Sequence, residues 1–294
     1  MKSLISEFSY GFALTHELVF ALGTLTAAPI FPSLVEEGKP GGGYDLKLES
    51  PGVPLFLQFK RSECMQRRTA REIAAGANLD VPFYRMEITA KADSDQHEML
   101  LELDQQPNFV FYAAPMFHQK PEFDDAFLSG RVRQRSFYVR PRSIGSFPER
   151  PHHVSFDGSV CVVMSEPKAI QGFGASELEG LLEGQLAEDK RALRTKVPEA
   201  LQQAEAARAR ARERTRGARP AEIGKILKGP LVRDADRIPT IEAFQQRQEE
   251  AIPAAPVPAP TEDPDLAALH RLADIGLREF NAQLYVVQDR EEQE

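Results

Sequence analysis

Residues 41–60 read GGGYDLKLESPGVPLFLQFK. Two strand-like segments, YDLKLE (44–49) and VPLFLQFK (53–60), flank the turn-forming run Ser50-Pro51-Gly52, so the stretch predicts a β-hairpin. Side chains two apart on a strand share a face. Gln58 and Lys60 therefore look the same way, and Phe59 looks the other way. Pairing of the two strands would bring Asp45 to the face of Gln58 and Lys60. An acid, an amide oxygen and an ammonium would then converge on one small volume, a set that suits a divalent cation beside a water molecule.

Working outward, the polar, glycine-rich loop 36–43 precedes the hairpin, and residues 27–34, broken by prolines, suit an edge strand. Residues 9–22 predict a helix with an apolar stripe at Phe8, Phe12, Thr15, Val19 and Leu22. After Lys60, residues 61–78 predict a second helix whose start is basic: Arg61, Arg67, Arg68 and Arg71, with Arg67 and Arg71 on one face. A strand over 81–88, a helix over 94–106 capped at Ser94, and an apolar strand over 108–117 follow. His97 on that helix is a candidate base or ligand, though a lone histidine on an amphipathic helix is more often structural. The order, helix, three strands, helix, strand, helix, strand, defines an α/β class with a sheet flanked by helices.

Residues 1–115 resemble the PD-(D/E)XK, or restriction endonuclease-like, nuclease superfamily in its Mrr-like form, where an Asp on one strand is followed by Q-x-K on the next. Here those residues are Asp45 and Gln58-Phe59-Lys60, with Tyr44 in place of the family's proline. The resemblance implies a restriction endonuclease-like core with a mixed central sheet flanked by helices, and metal-dependent hydrolysis of nucleic acid, DNA above all, in restriction or phage defence. It implies Mg²⁺ or Mn²⁺ held by Asp45, Gln58 and an acid from the N-terminal helix, Glu17, with Glu7 in reserve. Lys60 would position the attacking water. It also leaves room for an inactive relative that binds nucleic acid or protein within a larger complex.

Further along, residues 129–143 (SGRVRQRSFYVRPRS) hold five arginines and no acid. Arg131, Arg133 and Arg135 alternate, so on a strand they would line one face beside Phe137 and Tyr138 and track a phosphate backbone, with Arg61, Arg67 and Arg71 as further contacts. The competing reading is a surface strand salt-bridged to Asp124, Asp125 or Glu149. Adjacent His152 and His153 would point to opposite faces, so joint ligation is not expected. Residues 154–164 predict a hairpin around Asp157-Gly158.

From Ala175 the composition turns to Ala, Leu, Glu and Arg. It predicts a long helix or helix pair broken at Pro198, with Arg208, Arg210, Arg212, Arg214 and Arg216 spread around its axis. A Pro/Ala linker (251–264) leads to an amphipathic helix marked by Leu266, Leu269, Leu272, Ile275, Leu277, Phe280 and Leu284. The expected division is a nuclease-like domain over 1–165, a helical region over 166–250, the linker, and a C-terminal helix over 265–294. That helix should be buried on the first domain, or across a homodimer or protein partner.

Composition bounds these readings. A net charge of −8 over 294 residues, 42% of them hydrophobic, supports a core and argues against indiscriminate nucleic-acid binding, but not against a local basic groove. Cys64 and Cys161 are expected as free thiols. No apolar run suffices to span a bilayer, and Glu7 interrupts the N-terminal segment, so the chain is expected to be cytoplasmic, without a signal peptide or membrane contact.

Overall fold

The computed structural model describes residues 1–20, 23–30, 46–89, 94–146, 152–164, 168–217 and 263–290. Strand β2 (Val53–Phe59) is the centre of a mixed five-stranded sheet. It is apolar at every position but Gln58 and is covered on both faces, as a central strand of an α/β sheet should be. Its parallel neighbour is β5 (Phe109–Pro115), which is buried throughout, in the register Leu55↔Phe109 to Phe59↔Ala113. β6 (Ser136–Val139) closes that side antiparallel to β5.

On the other side of β2 lies β10 (Gln283–Asp289), antiparallel to it with Gln283 opposite Leu57. Beyond β10 is the edge strand β1 (Leu25–Ile30), which carries Pro29 as the residues predict. The expected hairpin is therefore corrected. Both edges of β2 are taken by β5 and β10, and residues 46–50 form a turn, not a strand. Asp45 lies outside the described residues.

Alternation sorts the side chains of β2. Leu55 and Leu57 face helix α1 (Glu7–Phe20) and helix α6 (Ala175–Glu188), in a core with Tyr10, Leu14, Leu18, Leu178, Leu182 and Tyr285. Phe56 faces the opposite core, filled by α3 (Gln96–Leu103), α7 (Leu193–Gly217) and α8 (Pro264–Phe280) through Leu100, Val197, Ala204, Leu269, Leu272 and Phe280. Gln58 and Lys60 share that second side. The predicted stripe of α1 is the wrong face. Phe8 and Phe12 are exposed, while Tyr10, Ala13, Leu14 and Leu18 are buried at the same helical spacing.

A second, antiparallel sheet has the order β3 (Ser62–Met65), β4 (Phe83–Ile88), β7 (His152–Phe156), β8 (Cys161–Val163), β9 (Lys168–Ala169). Its inner face, Cys64, Tyr84, Met86, Ile88, Val154 and Phe156, joins the α3/α7/α8 core, where Phe137 and Phe156 stack with ring centroids 4.8 Å apart. Its outer face carries Glu63, Arg85, Glu87, His153 and Ser155 beside the apolar Met65, Phe83 and Val162. The β7–β8 turn is as predicted: Gly158 adopts φ 100°, and the Asp157 carboxylate accepts the amides of Asp80, Ser159 and Val160. The predicted helix over 61–78 is corrected to β3, a turn, and a one-turn helix α2 (Arg71–Ala74). SECM alternates and pairs with β4, which overrides the helix propensity that follows it.

The predicted break at Pro198 and the expected helix over 265–294 are corrected as well. α7 runs through Pro198, and the break falls at residues 189–192. There Lys196 is buried and donates to the carbonyls of Gly52 and Asp189. α8 is capped by Asp263, whose carboxylate accepts the amides of Asp265 and Leu266. It stops at Asn281, which takes the left-handed conformation (φ 49°) and turns the chain into β10. The apolar stripe of this segment is thus buried on its own chain, apart from the half-buried Leu266 and the exposed Leu277. Residues 218–262, with most of the linker, lie outside the described residues. Among the described residues no helix is long and apolar enough to cross a membrane.

Candidate functional site

Lys60 follows the last residue of β2. Its backbone N–H donates to the Ala113 carbonyl at 2.9 Å and so extends the ladder to β5. It stands at the carboxyl ends of two parallel strands, the place where α/β sheets form ligand crevices. A cleft of about 370 Å³ opens there. Its walls come from three sources: the N-terminal segment and α1 (Lys2, Ser3, Glu7), the end of β2 (Lys60, Arg61), and the outer face of the second sheet (Glu63, Arg85, Glu87, His153).

The position of the ammonium follows from packing. The Lys60 Nζ lies over the Tyr112 ring, 5.7 Å from its centroid. Burial pulls the Lys60 pKa below the ordinary lysine value, and Glu7 and Glu87 oppose that pull. The result is a partly desolvated cation between two carboxylates. Arg61 shares the site through its backbone, whose N–H donates to Glu7 Oε1 at 3.3 Å. Arg85 is held by Glu72 at 2.7 Å and by Glu63 at 3.9 Å.

Gln58 lies one step deeper on the same strand face and is 1% exposed. Its Nε2 donates to the Phe280 carbonyl at 3.1 Å, and its Oε1 is buried with no partner among the described residues. Beside it, the Tyr112 hydroxyl and His97 Nδ1 are 2.7 Å apart, and His97 Nε2 is 2.8 Å from the Gly145 carbonyl. A carbonyl only accepts, so Nε2 carries the proton and Nδ1 accepts from Tyr112. Burial lowers the His97 pKa. His97 is thus a packed structural histidine with both nitrogens in use, not a free base or ligand.

Glu17 does not join Lys60. It is 6% exposed, and its carboxylate accepts the amides of Val132 at 2.8 Å and Arg133 at 2.7 Å. The reserve acid, Glu7, is the one that α1 delivers to the cleft. The arginine strand is corrected too: residues 131–135 form a turn ahead of β6. Arg131 pairs with Asp125 and Arg133 with Glu179, each at 3.0 Å. Arg135 lies over the Phe117 ring and donates to the carbonyls of Glu122 and Met116. By contrast, Arg61, Arg67, Arg68 and Arg71 are exposed and make no side-chain ion pair among the described residues. They follow Lys60 directly in the chain, along β3 and into α2.

His152 is buried and His153 reaches the cleft, on opposite faces as strand alternation requires. Arg85 and Glu87 were missed as site residues. Their signal lies in VPFYRMEI, where they are the two charged positions, two apart, of an otherwise apolar strand.

The donors present suit a hard cation in part. Glu7 and Glu87 offer carboxylate oxygens, and Gln58 Oε1 is an orphaned buried acceptor. Among the described residues no group of three acidic, histidine or cysteine side chains is placed to hold a metal ion. Neither a family model, nor a curated protein, nor a solved structure matches the chain. The class that can be stated is therefore structural: an α/β protein with a mixed sheet flanked by helices and a cleft of mixed charge at the carboxyl end of its central strand.

Proposed function

We propose that the cleft binds a nucleic-acid phosphate and that the chain is a Mg²⁺- or Mn²⁺-dependent nuclease acting on DNA, of the PD-(D/E)XK kind. The observation that carries the reading is Lys60 itself: a desolvated ammonium at the end of β2, with an acid from the N-terminal helix in the same cleft. Lys60 attracts the scissile phosphate and offsets the charge that builds on it. Arg61, Arg67 and Arg71 extend the positive field along the incoming backbone. Glu7 and Glu87, with Asp45 and the Gln58 oxygen, are the residues that would hold the cation. When bound, it would polarise the phosphate and lower the pKa of a water.

A second reading, a non-cleaving binding subunit, is favoured by one observation: Gln58 stands where many such sites place a carboxylate, and its amide is engaged by Phe280. One assay separates the two. Plasmid, linear duplex, single-stranded DNA and RNA are incubated with Mg²⁺ or Mn²⁺, using the parent protein, Lys60→Ala and Glu7→Gln, with thermal melts as folding controls. Metal-dependent cleavage that both variants lose by about a hundredfold or more supports the nuclease. Binding without cleavage supports the second reading. Cleavage unaltered in Lys60→Ala refutes the assignment of the cleft.

A further inference from the structure

The exposed phenylalanines of α1 line a second groove that meets the cleft at Glu7. This groove, of about 670 Å³, is bounded by Phe8, Phe12, Phe59 and Leu277, with Gly11 at its floor. Phe8 is 84% and Phe12 62% exposed. They sit four apart on one helix, so their rings are neighbours on one face. Phe59 belongs to the strand that ends at Lys60. Its ring is pressed so closely on α1 that a Cβ at Gly11 would stand 2.6 Å from Phe59 Cδ2. The aromatic wall is therefore built at the same strand end as the ammonium, on the opposite face of β2, and the two meet around that end at Glu7.

We propose that this groove stacks unpaired nucleobases, so that the strand entering the Lys60 cleft is single-stranded, or locally opened from a duplex. The inference rests on the reading of the cleft as a phosphate site. The argument is juxtaposition. A single strand presents flat apolar bases on one side and phosphates on the other, and stacking rings beside a basic track is the arrangement that takes both. Here the cleft carries four basic residues, Lys2, Lys60, Arg61 and Arg85, against three acidic ones, Glu7, Glu63 and Glu87, while the groove has one charged lining residue, Glu7, which the two share. A duplex keeps its base faces stacked inside and has nothing to offer these rings.

The test measures anisotropy of a fluorescein-labelled oligodeoxynucleotide, single-stranded or annealed, in EDTA at fixed salt. The proteins are the full chain, Phe8→Ala/Phe12→Ala, Phe8→Leu/Phe12→Leu and Lys60→Ala; both rings are exposed, so the fold does not depend on them. The alanine and leucine pairs should each weaken single-strand binding, between about fivefold and a hundredfold per stacked ring, and leave duplex binding as it was. Full binding by the leucine pair would overturn stacking, because leucine keeps apolar contact and loses the ring. Unchanged binding by the alanine pair, with Lys60→Ala weakened, would overturn the groove and keep the cleft. Weakening by the phenylalanine variants with Lys60→Ala unchanged would support the groove and sink the cleft. Light scattering at the assay concentration covers the other occupant: a dimer that the alanine pair dissolves, with single-strand binding intact, would assign the rings to a second copy and overturn the proposal.

Discussion

Glu17→Gln tests whether that carboxylate is a clamp or a ligand. The side chain keeps its size and loses its charge. In the parent, its two oxygens accept two backbone amides, at 2.8 and 2.7 Å, in a buried setting. Hydrogen bonds to a charged acceptor are worth about 1.5–3 kcal/mol each. Glutamine can satisfy one of the two amides with its carbonyl oxygen, but it must turn its own NH₂ towards the other. The variant should therefore lose about 2–4 kcal/mol, and Glu17→Ala, which leaves both amides open, about 3–5 kcal/mol. Urea unfolding followed by circular dichroism reads this as a lower midpoint at unchanged slope. The damage should localise: amides of the 131–135 turn should exchange faster in Glu17→Gln. Stability within about 0.5 kcal/mol of the parent would refute the clamp. Loss of metal-dependent cleavage at full stability would return Glu17 to the site.

Burial holds Lys60 below its ordinary pKa of 10.5, so between the lowered value and 10.5 the unfolded chain binds more protons and stability from this group rises with pH. Lys60→Met should abolish that rise and, at neutral pH, raise the melting midpoint by about 1–4 °C while ending cleavage; a lower midpoint at neutral pH would contradict the desolvation argument. Replacing Arg61, Arg67 and Arg71 by Gln should reduce the salt slope of DNA binding by about 2–3, whereas the same change at Arg131, Arg133 and Arg135 should leave it unaltered, and equal slopes would show that ion pairing does not sort these arginines. Deleting residues 281–294 should bare the edges of β1 and β2 and give insoluble protein; a soluble product with an unchanged melting midpoint would refute the central place of β10.

The sequence revealed those parts of the fold whose signals are local. The strands 83–88 and 109–115 and the Asp157-Gly158 turn declared themselves by β-branched and aromatic content and by turn chemistry. Gln58 and Lys60 could be placed on one strand face because the period of a strand is two. The face of α1 was beyond periodicity, since Phe8 and Phe12 and the set Tyr10, Leu14 and Leu18 both recur at helical spacing, and only the neighbouring sheet chooses between them. The hairpin at 44–60 failed because a strand far along the chain competes for the same edge of β2, and no local rule ranks a distant partner. β10 reads as the end of the C-terminal helix, although REFNAQLYVVQD sets an asparagine at a helix end before a β-rich run. The Glu17 clamp was not legible, because its partners are backbone amides, which carry no sequence signature.

The place of β10 also sets an order of events for the newborn chain. Translation delivers β1, β2 and β5 early, yet the first two are not neighbours in the finished sheet. The slot between them waits for residues 283–289, which emerge only after α7 and α8 have been made. Closing a gap from position 59 to position 283 is a long-range step that no local turn can assist. Until it is taken, α8 has no hinge at Asn281 to dock through, and Gln58 lacks the Phe280 carbonyl that fixes its amide. The strand that presents Lys60 therefore gains its second neighbour only at the end of synthesis. A ribosome-bound or prematurely terminated chain would carry every cleft residue named here and still lack one of the two strands that flank β2.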